Sequence, residues 1–131
     1  MMNNNIPHSE SGDEDRLTQL QRRLAAFRDE RQWAQFHTPK NLASALVVEA
    51  AELLEPFQWL QAGERSELSD AQLQAVSDEM ADVLCYLLLM ADRLNVDLAA
   101  ACNSKIDRNT LRYPVSTAKG SAKKAPADTP A

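Results

Sequence analysis

Residues 47–60 read VVEAAELLEPFQWL, a stretch with the apolar content of a buried helix that nevertheless carries three glutamates. Val, Ala and Leu recur without the strict alternation of a strand, so the segment reads as helix. Glu49 and Glu52 lie three residues apart and share one helical face, whereas Glu55 turns away from that strip. Pro56 lacks the N–H that would bond to the carbonyl of Glu52, so a kink is expected there, aiming Trp59 toward any neighbouring pocket.

The rest of the chain repeats the helical pattern. Leu17, Leu20, Leu24 and Phe27 define one face of a first helix expected over residues 14–35. Thr38 and Pro39 supply a cap and a first-turn proline for the second helix, expected over 39–61 and stopped by Gly63. Ser69 with Gln72 resembles a capping box for a third helix reaching about Leu94. Asp97 can cap a fourth ending near Arg112, before Pro114. Gly12 and Gly120, the other two glycines, fall in polar end segments, and no hairpin signal occurs. The fold class is therefore all-α, with one domain over residues 14–114. Residues 1–13 and 115–131 are expected to be disordered tails.

The third helix is apolar nearly all round in its second half, at Val83, Leu84, Cys85, Leu87, Leu88, Leu89 and Met90. Such a helix needs cover on several sides, so a four-helix bundle completed by oligomerisation is expected. The apolar run from Val83 to Ala91 is about half the length that crosses a bilayer. The first residues lack the basic and apolar regions of a secretory signal, and Cys85 and Cys102 lack metal-ligand spacing. Cytoplasmic localisation without a membrane partner is the expectation. The net charge of −5, with three lysines gathered after Val115, leaves an acidic body. That argues against a nucleic-acid polymer as ligand but not against a small polyanion delivered with cations.

A second carboxylate pair stands on the third helix, where Glu79, Asp82 and Tyr86 follow one another at three- and four-residue steps. Ionised carboxylates in an apolar setting must reach solvent, pair with a cation-bearing side chain, or bind metal. No Lys or Arg lies between Asn41 and Gln61, which weakens local pairing. Oxygen ligands without His or Cys suit Mg²⁺ or Mn²⁺ better than zinc. A di-iron site in a bundle would bring Glu-x-x-His motifs, which neither helix has. Spacing alone leaves open solvated or salt-bridged helix faces.

Three stretches, RQWAQFHTPKNLASALVVEAAELLEPFQW, SDEMADVLCYLLLMADRLNVDL and SKIDRNTLRYP, occur in the order and at the spacing of the MazG-like nucleotide pyrophosphohydrolases. Within that family the chain most resembles the dCTP pyrophosphatase group. The resemblance implies an all-α fold assembled into dimers or tetramers. It also implies Mg²⁺-dependent hydrolysis of a nucleoside triphosphate to monophosphate and pyrophosphate, with Mn²⁺ a possible substitute. It assigns Glu49, Glu52, Glu79 and Asp82 to the metal; that Glu49 or Glu52 also serves as general base is a further expectation from the chemistry. It assigns Trp33, Ala34, Gln35, Phe36, His37, Trp59 and Tyr86 to the substrate. Lys105, Asn109, Arg112 and Tyr113 match the family's C-terminal signature, near the phosphates or a subunit interface. Where some relatives carry a first-helix histidine, Ala25 stands at the matching position, which bears on cytosine selectivity. The expected substrate is dCTP or a modified dCTP. The rivals are dUTP or a broad nucleotide range, and a non-catalytic helical assembly module.

Overall fold

The computed structural model describes residues 14–127; residues 1–13, with the tail expected there, lie outside it, as do residues 128–131. Five α-helices run in chain order: α1 Arg16–Glu30, α2 Pro39–Leu54, α3 Asp70–Leu94, α4 Leu98–Arg112 and α5 Val115–Ala118. No strand occurs among the described residues. Nor is any of their helices long and apolar enough to cross a membrane. The body expected as one domain divides into two compact units, with the break between Leu94 and Asn95.

In the first unit α2 packs along α3, and α1 against α3. Leu42 of α2 and Val76, Leu88, Leu89 and Ala91 of α3 are buried. Gln21 of α1 donates its side-chain amide to the carbonyl of Leu88 at 3.0 Å, and Arg28 of α1 reaches Asp92 of α3 at 2.8 Å. The expected caps hold. The Thr38 hydroxyl accepts the amide of Asn41, and Pro39 opens α2. Ser69 and Gln72 exchange backbone-to-side-chain hydrogen bonds at 2.9 and 3.1 Å.

Two helix ends differ from expectation. The first helix was expected to reach Gln35, but it stops at Glu30 because Gln32 adopts the left-handed conformation, with φ of 54°. A separate 3₁₀ turn follows over Trp33–Phe36, tied down by the Asn41 amide donating to the carbonyl of Phe36. The second helix ends at Leu54 rather than near Gln61, and Glu55–Phe57 form a 3₁₀ turn. Pro56 thus terminates the α-helix instead of kinking it, since its ring nitrogen cannot donate to the helical ladder. Gly63, with φ of 76°, turns the chain beyond; a Cβ there would meet the Phe57 ring at 2.7 Å. The carboxylate of Glu67 closes this loop, accepting the amides of Gln61, Ala62, Gly63 and Glu64.

In the second unit Asp97 caps α4 by accepting the amide of Ala100. The segment from Val115, expected to be disordered, forms α5 and then folds back on the end of α4. Arg112 donates to the carbonyls of Ala125 and Pro126, and the Tyr113 hydroxyl accepts the amide of Ala125.

Candidate metal and nucleotide site

The facing turns of α2 and α3 bring carboxylates together. One oxygen each from Glu49, Glu79 and Asp82 lies within 4.8 Å of the others. Glu52 stands outside this trio, close enough to Glu49 to raise its carboxyl. Asp78 is exposed and accepts the Gln74 amide, and Glu55 is exposed, so both stay out of the cluster. Among the described residues none of the four cluster carboxylates forms an ion pair. The alternative of salt-bridged helix faces therefore finds no partner here.

The cluster is electrostatically frustrated. Burial, then the neighbouring Glu52, and then the charges of Asp82 and Glu79 push the Glu49 carboxyl up to about 7. Burial and the charge of Glu52 also raise Glu79 above the usual carboxylate range. Glu49 Oε2 and Glu79 Oε2 are buried without a hydrogen-bond partner. Buried oxygens normally find a donor, so two unpartnered ones on residues of one carboxylate cluster describe a place for a cation. The all-oxygen donor set fits a hard divalent ion.

A cavity of about 260 Å³ adjoins the cluster at Asp82. Its wall includes Phe27, Arg28, Trp33, His37 and Tyr86. Trp33 packs edge-on against Phe27, with ring centroids 5.6 Å apart, and against His37 at 6.4 Å. Burial, reinforced by Arg28 and Arg93, holds His37 below the ordinary histidine range, so it is neutral at pH 7. Its Nδ1 is buried without a partner. Burial and the charges of Glu49 and Asp82 raise the Tyr86 phenol, which stays protonated. The short αL break at Gln32 is what turns Trp33 back onto Phe27; a helix continued to Gln35 would not do so.

Of the substrate-site residues expected from sequence, Trp33, His37 and Tyr86 line the cavity. Ala34, Gln35 and Phe36 share the 3₁₀ turn but not the wall. Trp59, 88% exposed, points away from it, so the terminated helix at Pro56 does not aim this indole into the cavity of its own chain. The first helix contributes Leu24, Phe27 and Arg28 to the wall, and Ala25 is not among them. In the second unit Lys105 is exposed and Asn109 half-buried. Arg112, expected near the phosphates or a subunit interface, is engaged by the chain's own carbonyls, and its guanidinium lies 5.6 Å from the Tyr113 ring centroid. Leu24, Phe27, Arg28, Cys85 and Leu89 line the cavity without having been expected as site residues, and Arg28 is the charged one among them.

Fold and site together define an all-α protein with a candidate divalent-cation cluster beside an aromatic cavity. The chain belongs to the MazG-like family, whose profile matches residues 45–126. It is 44% identical over 111 residues to dCTP pyrophosphatase 1 of Rattus norvegicus, covering 83% of this chain and 65% of that protein. The Homo sapiens protein of the same name is 44% identical over 113 residues, covering 85% of this chain and 66% of that protein. The chain thus spans just under two-thirds of the length of these relatives. A pyrophosphatase of Archaeoglobus fulgidus has a similar fold, with a TM-score of 0.73 and 38% identity over 79% of this chain and 97% of that one.

Proposed function

We propose that this chain is a divalent-cation-dependent nucleoside triphosphate pyrophosphohydrolase, converting dCTP or a base-modified dCTP to the monophosphate and pyrophosphate. The observation that carries this reading is the trio Glu49, Glu79 and Asp82, with two buried oxygens lacking partners, set beside an aromatic cavity. The similarity to proteins named dCTP pyrophosphatase 1 supports the base assignment.

Glu49, Glu79 and Asp82 would hold Mg²⁺, with Glu52 completing the set and Mn²⁺ an acceptable substitute. When bound, that ion supplies charge neutralisation and Lewis acidity at a phosphoryl group. The protein's own part is positioning and proton transfer. Glu49 or Glu52, whichever carboxylate oxygen the cation leaves free, serves as the general base. It would take the proton of a water attacking the α-phosphorus while the bond to the leaving pyrophosphate breaks in line. Trp33 and Tyr86 would hold the base, with His37 beside them as a neutral hydrogen-bonding group. Ala34, Gln35 and Phe36 would position the first of these through their turn. Lys105 and Asn109 remain proposed phosphate contacts, and Arg112 and Tyr113 structural anchors of the second unit.

The test is a nucleotide panel assayed for pyrophosphate release with and without Mg²⁺, alongside Glu52→Gln. Magnesium-dependent release from dCTP is expected, with Glu52→Gln slowed by about 10–100-fold. No release from any nucleotide would favour the assembly-module reading and end the proposal. A preference for dUTP would leave the chemistry standing and overturn the base assignment.

The working unit is proposed to be a homodimer or tetramer in the cytoplasm. Leu84 and Leu87 of α3 are each 36% exposed, and Met80, Val47 and Val48 more so, an apolar surface that association would cover. Sedimentation across a range of protein concentrations is expected to give a dimer or larger; a stable monomer would contradict it.

A further inference from the structure

Arg28 is the one cationic side chain among the described residues of the cavity wall, His37 being held neutral, and its own side chain is 15% exposed. A guanidinium so nearly enclosed is costly unless it is paired. Two carboxylates pair it: Nε donates to Asp29 at 2.9 Å and Nη1 to Asp92 at 2.8 Å. Those contacts use two edges of the planar fork and fix its orientation. Nη2 has no hydrogen-bond partner among the described residues. The arrangement thus presents a rigid donor to the cavity with its formal charge already compensated.

Where that donor sits decides what it meets. Asp92, which anchors it, lies ten residues beyond Asp82 on the same helix, about 15 Å along the axis at 1.5 Å per residue. Asp82 belongs to the carboxylate cluster, and both Asp82 and Arg28 line one cavity. A triphosphate attracted to the cluster with its cation occupies the Asp82 end. The span left toward Arg28 suits a nucleoside, and the wall between is aromatic. A guanidinium has donors and no acceptor, so it favours a base edge made of acceptors. Cytosine offers O2 and N3 as adjacent acceptors; uracil presents an N3–H donor between its two carbonyls.

We propose that Arg28 is the specificity-determining residue for the base, its free Nη2 donating to N3 of a cytosine-type ring, the position that accepts in cytosine and carries a hydrogen in uracil. Asp29 and Asp92 are positioning residues that hold the guanidinium plane. The proposal rests on the pyrophosphohydrolase reading above and adds the group that selects the base.

The experiment compares wild type, Arg28→Ala and Arg28→Lys on dCTP, dUTP and 2-deoxyribose 5-triphosphate, which carries no base. One charge-assisted hydrogen bond is expected to be worth about 10–100-fold in kcat/KM on dCTP. Arg28→Ala should therefore lose that factor on dCTP, bring the dCTP:dUTP ratio toward one, and leave the base-free triphosphate unchanged. Arg28→Lys keeps the charge and the pairing to carboxylates but not the planar fork. It should fold as wild type does and still lose the preference, so the answer does not depend on the alanine variant folding. A parallel loss on all three substrates would overturn the proposal in favour of a phosphate-binding or purely structural role. An unchanged dCTP:dUTP ratio in both variants would overturn it as well. Failure of wild type to act on any nucleotide would remove the activity on which the proposal stands; base discrimination unaffected in an active enzyme would remove the proposal alone.

Discussion

Glu49→Gln is expected to reduce pyrophosphate release by about 10³-fold or more while leaving the metal-free protein more heat-stable at pH 8. The two effects share one cause. Glu49 contributes an oxygen to the trio with Glu79 and Asp82, and burial, then Glu52, and then those two neighbours raise its proton affinity. A glutamine preserves shape but carries no charge for a cation and accepts no proton from water. The same loss of charge removes one of several carboxylates that repel one another across α2 and α3. Activity measured on dCTP, together with thermal melting in chelator, separates a functional cluster from a structural one. A variant that kept full activity, or that melted lower without metal, would count against the assignment.

The second large effect is a coupling between pH, metal and stability. The folded Glu49 carboxyl titrates at about 7 against an ordinary value of 4.5, and Glu79 is shifted in the same direction. A raised carboxyl binds its proton more tightly folded than unfolded. Its stabilising contribution is therefore complete below about 4.5 and is lost as pH rises through about 7. Asp15, Asp29 and Glu67 are shifted the other way, so their contributions are lost only as pH falls through the acid range. His37, held low, also opposes Glu49, losing stability as pH falls through its ordinary range. The Glu49 component is isolated by comparing wild type with Glu49→Gln. In chelator, the wild-type melting temperature is expected to fall relative to the variant between pH 5 and pH 8. Added Mg²⁺ binds the deprotonated cluster, so it should raise the wild-type melting temperature more at pH 8 than at pH 5.5. A wild-type curve parallel to the variant's would contradict the coupling, and so would an equal Mg²⁺ effect at both pH values.

Local signals carried much of the fold. Thr38, Asp97 and the Ser69–Gln72 box each place a helix start from residues within a few positions, because capping is a contact between near neighbours. Helix ends were harder. Gln32 enters the left-handed region although glutamine has no special preference for it, and it does so to turn Trp33 back onto Phe27. Pro56 was visible, but a kink and a stop differ only in whether the next turn has packing to hold it. The segment after Val115 was read from its composition, whereas its order comes from Arg112 and Tyr113 gripping residues twelve to fourteen positions away.

The site divides along the same line. Glu49, Glu79 and Asp82 were legible because helical spacing fixes which carboxylates share a face, and the apolar setting marked them as unusual. That Glu52 stays outside the trio depends on side-chain aim, which spacing does not encode. Arg28 looked like one more charge on an amphipathic helix. Its meaning lies in Asp92, 64 residues further on, and no local pattern joins them.

The central claim, that the carboxylates of α2 and α3 form a divalent-cation site, is tested most directly by Mn²⁺ titration followed by electron paramagnetic resonance. Wild-type protein at pH 8 is expected to remove free Mn²⁺ from the spectrum saturably. Competition by Mg²⁺ should restore the signal, and Asp82→Asn and Glu79→Gln should each weaken binding at least tenfold. Undiminished free Mn²⁺ in the presence of wild type, or binding that both variants retain in full, would contradict it.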